Sequence, residues 1–111
     1  MIHLIRTKAT PQQITEMLEE HIMVIKTAVD IRRGILAGGG NKHSDCEEVL
    51  LDDGSQQQDI WGASWDPDTS TITFESLLNL RPRQNNYRMV IEDMSIREKI
   101  TEIIRQLLEE A

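Results

Sequence analysis

Ile25-Lys-Thr-Ala-Val-Asp-Ile31, then Arg32-Arg33-Gly34, then Ile35-Leu36-Ala37, is the stretch that decides the fold. Ile25, Thr27, Val29 and Ile31 fall on one side of an extended chain, a period of two. Arg32-Arg33-Gly34 interrupts the alternation and Ile35 resumes it, which predicts a hairpin with Gly34 in a left-handed conformation. Further along, Trp61, Ala63 and Trp65 alternate, and Asp66-Pro67-Asp68-Thr69 supplies turn chemistry. Ile72, Phe74, Leu78 and Leu80 predict one face of the next strand, which Pro82 ends, and Tyr87, Met89 and Ile91 predict another. Ile2 to Ile5 offers a short edge strand before the hairpin.

Two amphipathic segments flank these strands. Thr10 is a favoured helix N-cap, Pro11 stands where a missing N–H costs nothing, and Gln13 completes a capping box. Ile14, Met17, Leu18 and Ile22 then predict one apolar helical face. Ser95, with Glu98 three residues on, predicts a second helix start, followed by a stripe of Ile96, Ile100, Ile103, Ile104, Leu107 and Leu108. Residues 44 to 54 admit two readings. Ser44 with Glu47, then Cys46, Val49 and Leu50, suits a helix. Val49-Leu50-Leu51-Asp52-Asp53-Gly54 ends in a hairpin signal and suits a strand paired with one starting near Asp59. The strand reading is preferred.

Short connections between strands cannot make parallel pairs. The order helix, strands, helix therefore predicts an α+β fold: an antiparallel meander sheet with an N-terminal and a C-terminal helix packed on one face. The 111 residues read as a single domain, 1–111. Area scaling has folding bury about 12,000 Å², so a core forms without disulfide or metal. Nineteen acids against twelve Lys and Arg leave a formal charge of −7, which argues against duplex DNA as a partner. No apolar run approaches the roughly 18 residues of a membrane span. Met1-Ile-His-Leu-Ile-Arg-Thr-Lys8 lacks the longer apolar region of a secretion signal. The lone Cys46 excludes an internal disulfide and points to the reducing cytoplasm.

Several phrases occur together: Ala28-Val-Asp-Ile31, Gly34-Ile-Leu-Ala-Gly-Gly-Gly40, His43-Ser-Asp-Cys-Glu47, Asp59-Ile-Trp-Gly-Ala63, and Phe74-Glu-Ser76 with Asn79-Leu-Arg-Pro82. On these the chain resembles a family of small uncharacterised bacterial proteins, known as a domain of unknown function. The resemblance spans nearly the whole chain and implies no reaction or ligand.

Three polar constellations are candidates for function. Gly38-Gly-Gly-Asn-Lys-His-Ser-Asp-Cys-Glu47 gathers His43, Asp45 and Cys46, all able to ligate a metal or move a proton, with Asp59 as a further carboxylate. No helix start is read there to face a phosphate, and the spacing matches no structural zinc site. A Cys–His nucleophile would need Cys46 beside a base in space. The second constellation is the run from His43 to Leu80, which carries nine acids and no Lys or Arg. Such segregation suits a cation, a basic partner or complementary self-association. The third is Arg81-Pro82-Arg83-Gln84-Asn85-Asn86-Tyr87-Arg88. Its Arg81, Arg83, Asn85, Asn86 and Arg88 suit a carboxylate, a phosphate or an RNA base.

Each has a plainer account: a glycine turn beside a buried thiol, solvated carboxylates, and arginines pairing with acids of the same chain. No cofactor and no metal site is read. The preferred function is a non-enzymatic binding or interaction module that self-associates or joins another protein, with a small anion as a further ligand class. The alternatives are a small, metal-assisted enzyme using His43, Asp45, Cys46 or Asp59, and a single-strand RNA or anion binder using the loop from Arg81 to Arg88.

Overall fold

The computed structural model describes residues 1–109. The hairpin forms as β2 (Ile25–Asp30) and β3 (Ile35–Gly38), with Gly34 at φ 69° in the turn. Asp30 fastens that turn, its Oδ1 accepting from the backbone N–H groups of Arg32 and Arg33, each at 2.9 Å. β1 (His3–Ile5) pairs with the outer edge of β3, as expected of an edge strand. β4 (Ile60–Asp66) pairs with β2, and β5 (Thr71–Thr73) pairs with β4. Every pairing is antiparallel and the order is β1-β3-β2-β4-β5. Two connections therefore skip a strand, and each carries a helix.

The sheet is covered on both faces. Ile25, Val29, Leu36, Trp61, Ala63 and Trp65 point to one side, where they share a core with α1 (Pro11–Met17) and α3 (Met94–Leu108). Ala28, Ile35, Ala37 and Ile60 point to the other, where they meet Cys46 and Leu50 of α2 (His43–Asp52). Ala28 and Ala37 on this second face let a helix lie close. α3 follows its predicted stripe, with Ile100, Ile103, Ile104, Leu107 and Leu108 buried. The backbone N–H of Ala9 donates to the carbonyl of Leu107 at 2.8 Å, tying the entry of α1 to the end of α3.

Residues 43–52 are a helix, which corrects the preferred strand. Asp53-Gly54 ends that helix instead of turning a hairpin. Gly54 sits at φ 97°, its N–H donates to Leu51 O at 3.1 Å, and Ser55 N–H donates to Leu50 O at 3.0 Å. That pair of bonds is the glycine-terminated helix stop, which uses the same left-handed residue a tight hairpin would.

Three further boundaries move. α1 has its capping box but stops at Met17; turns follow over residues 18–21, and Ile22, at φ 60°, lies 79% exposed before β2 begins. α3 starts at Met94, capped by Asp93 and not Ser95. Asp93 Oδ1 accepts from the N–H groups of Ser95 and Ile96. The strand expected through Leu80 ends at Thr73, and no strand runs from Tyr87 to Ile91. Residues 74–91 instead form single 3₁₀ turns at Leu77–Asn79 and Pro82–Gln84, with lone bridges Glu75–Val90 and Arg81–Asn86.

Ile104 is fully buried and Ile22 is not. Ile104→Ala should lose about 2–5 kcal/mol in urea unfolding, the cost of a core cavity. Ile22→Ala should stay within about 0.5 kcal/mol of the parent.

Candidate functional site

β5 covers only the far end of β4, from Ser64 to Asp66, so the backbone groups at Ile60 and Gly62 face an edge without a strand. Side chains fill that edge. Asn79, fully buried, accepts from Gly62 N–H through Oδ1 at 2.8 Å and donates through Nδ2 to Gly62 O at 2.9 Å. Arg81 donates to Ile60 O and Gln57 O, each at 2.6 Å, and through Nε to Leu78 O at 2.8 Å. Its guanidinium lies 5.0 Å from the centre of the Trp61 ring and 3.7 Å from Glu47 Oε2, with both charged side chains nearly buried. Burial lowers the Arg81 pKa and Glu47 opposes that shift. Close approach here requires glycine: a Cβ on Gly62 would stand 2.6 Å from Ser76 Cβ.

Asn86 does the same for the return of the chain. Its Nδ2 donates to the carbonyls of Asn79, Arg88 and Val90, and its Oδ1 accepts from Glu92 N–H at 2.8 Å. Two buried amides thus hold residues 74–92 in one shape. The segment read as a binding loop therefore divides. Arg81 and Asn86 are structural, with their donors occupied inside the fold. Arg83, Asn85 and Arg88 are exposed. Beside them, Leu77, Leu80, Tyr87 and Met89 are 74, 48, 62 and 38% exposed. Gln57, Leu77, Leu80, Pro82, Arg83 and Gln84 border a groove of about 500 Å³.

The residues considered for catalysis are engaged elsewhere. His43 Nε2 lies 3.2 Å from Ala63 O and 3.1 Å from Ser64 Oγ. A carbonyl only accepts, so Nε2 carries the proton. Burial first, and the nearby Lys26 second, hold the His43 pKa down at about 4. The Cys46 thiol is buried against Lys26 O at 3.4 Å, and burial raises its pKa to about 11. A thiol so protonated is a poor nucleophile at neutral pH. Asp45 accepts from Lys42 N–H at 3.1 Å, and Asp59 pairs with Arg32 at 3.0 Å before the start of β4. Among the described residues, no three His, Cys, Asp or Glu side chains converge as metal ligands would.

The acidic run is partly neutralised from outside it: Asp53 binds both Arg33 and Arg6, Asp59 binds Arg32, and Glu47 faces Arg81. The Arg33 and Arg6 guanidinium groups hold the Asp53 carboxyl below its ordinary range.

A helix start does follow the glycine run, contrary to the sequence expectation, because α2 opens at His43. The glycines themselves pack against protein. A Cβ on Gly40 would stand 3.0 Å from Cys46 Sγ, and one on Gly39 would strike Met1 O. What gathers at this end of α2 is a cavity of about 280 Å³ lined by Lys26, Lys42, His43, Ser44, Ser76, Leu77 and Leu78. Sequence reading missed it because Lys26 reaches α2 only once residues 43–52 are a helix on its face of the sheet. Asn79 was missed too, read as one polar residue in a strand.

His43 is neutral in the folded chain with a pKa near 4, against about 6.5 when unfolded. Its contribution to stability is complete above pH 6.5 and fades as pH falls through 4, since the unfolded state takes up the proton first. Parent protein should lose stability between pH 7 and pH 5 by urea unfolding, and His43→Gln should lose measurably less. Equal losses would contradict a buried neutral imidazole.

No helix among the described residues is long and apolar enough to cross a membrane. No curated protein and no solved structure gives a significant match to the chain. A family model described as protein of unknown function (DUF5674) matches residues 3–107, a span running from β1 to the last turn of α3. On that match the chain belongs to the DUF5674 family.

Proposed function

We propose that this protein is a non-catalytic interaction module that associates with a second copy of itself through the segment from Leu77 to Met89, acting in the cytoplasm. The observation that carries the reading is the exposure of Leu77, Leu80, Tyr87 and Met89 on a segment held rigid by the buried amides of Asn79 and Asn86. A preorganised surface loses little ordering entropy on binding, so its apolar side chains favour association more than those of a mobile loop.

Charge selects the second copy as occupant. Arg83 and Arg88 are exposed on this segment and neither has a carboxylate within ion-pair distance among the described residues. Glu48, Asp52, Asp68 and Glu75 are exposed acids without a basic partner under the same criterion. One copy thus supplies the complement of the other, which favours steering and register. The lone Cys46, buried and protonated, suits a reducing compartment.

Sedimentation equilibrium tests this. The parent chain should form a dimer at micromolar concentration that weakens in 0.5 M salt. Leu80→Asp with Tyr87→Asp should raise the dissociation constant at least tenfold while the melting temperature stays close to that of the parent. A monomer at every concentration, or a dimer indifferent to both substitutions, contradicts the reading.

A further inference from the structure

The cavity at the start of α2 combines features that no internal contact explains. Lys26 comes from β2 and Lys42 from the residue before α2, and both line it. In a chain of nineteen acids, neither ammonium has a carboxylate within ion-pair distance among the described residues. No Asp or Glu lines the cavity. Asp45, the nearest acid in sequence, is turned to the backbone N–H of Lys42. Ser44 and Ser76 add hydroxyls, and Ser76 Oγ, which accepts from Leu78 N–H, keeps its own proton to donate. His43, with its Nε2 proton directed at Ala63 and Ser64, lines the cavity without adding a positive charge.

The remaining wall is apolar, made by Leu77 and Leu78, and Leu77 is 74% exposed. A bare inorganic ion would leave that wall in water, whereas an apolar body attached to the anion would cover it. Two lysines act as point charges well suited to a dianionic head. We infer that this cavity binds a phosphate monoester with an apolar substituent, its phosphate between Lys26, Lys42, Ser44 and Ser76 and its substituent on Leu77 and Leu78. The phosphate contacts do not depend on self-association, because Lys26, Lys42, Ser44 and Ser76 lie outside the groove bordered by Leu80 and Arg83, whereas Leu77 borders both, so a second copy would compete with the substituent for it.

Phenyl phosphate is the probe, with inorganic phosphate and benzyl alcohol as separate arms, each titrated into isotope-labelled protein at constant ionic strength. The amide resonances of His43, Ser44 and Ser76 should shift saturably with phenyl phosphate. Inorganic phosphate should bind at least tenfold more weakly, and benzyl alcohol should leave these resonances unmoved. Lys26→Ala with Lys42→Ala should weaken phenyl phosphate at least tenfold at unchanged melting temperature. Arg83→Ala with Arg88→Ala, which removes the other exposed arginines of the 81–88 segment, should leave its affinity within twofold. Absence of saturation, or equal weakening by the lysine and arginine pairs, overturns the site. The titrations are repeated in the Leu80→Asp with Tyr87→Asp background, which leaves Leu77 uncovered, and the dimer is read separately by mass.

Discussion

Asn79 supplies β4 with the hydrogen bonds that a neighbouring strand would otherwise give. Both backbone groups of Gly62 are bonded to one side-chain amide that water cannot reach. An unmet buried donor or acceptor costs about 1–3 kcal/mol, so this exchange holds the chain between β5 and α3 against the sheet. Arg81 extends it to Ile60, and Asn86 fastens the return to Asn79 itself. Through Ser76, packed on Gly62, the same contact sets one wall of the lysine-lined cavity. It also sets the shape from which Leu80 and Tyr87 project.

The two faces of the sheet differ in what they do. The face under α1 and α3 carries more of the buried apolar side chains, including both tryptophans. The face under α2 carries Ala28, Ala37 and Gly62, and there polar groups approach the sheet closely. His43, Cys46, Glu47 and Arg81 all belong to this second face or its edge and are partly desolvated; His43, Cys46 and Arg81 are hydrogen-bonded there, and Glu47 faces Arg81 at 3.7 Å. Burial holds the His43 pKa down at about 4 and raises that of Cys46 to about 11.

Periodicity made the first face legible. The alternation of Ile25 to Ile31 and of Trp61 to Trp65, the capping box at Thr10 and the stripe of α3 each report a local rule that tertiary structure respects. The second face was not legible for a physical reason. Gly54 is needed in a left-handed conformation by a hairpin and by a helix stop alike, so Asp53-Gly54 does not distinguish them. Misreading that residue removed α2, and with it the layer that brings Lys26 to Ser44. The loop from Arg81 to Arg88 stands out in the sequence for its hydrogen-bonding groups. Which of those groups turn inward depends on the vacant edge of β4, and that is a property of the sheet and not of the loop's own sequence.

Native-state hydrogen exchange at the Gly62 amide measures the central claim directly, because that proton's acceptor is the Asn79 side chain. The account places its exchange among the slow core amides of β4, near the free energy of global unfolding, with Glu92 N–H similarly protected by Asn86. Exchange of both amides at rates typical of open loops, while β2 and the rest of β4 remain protected, would contradict it.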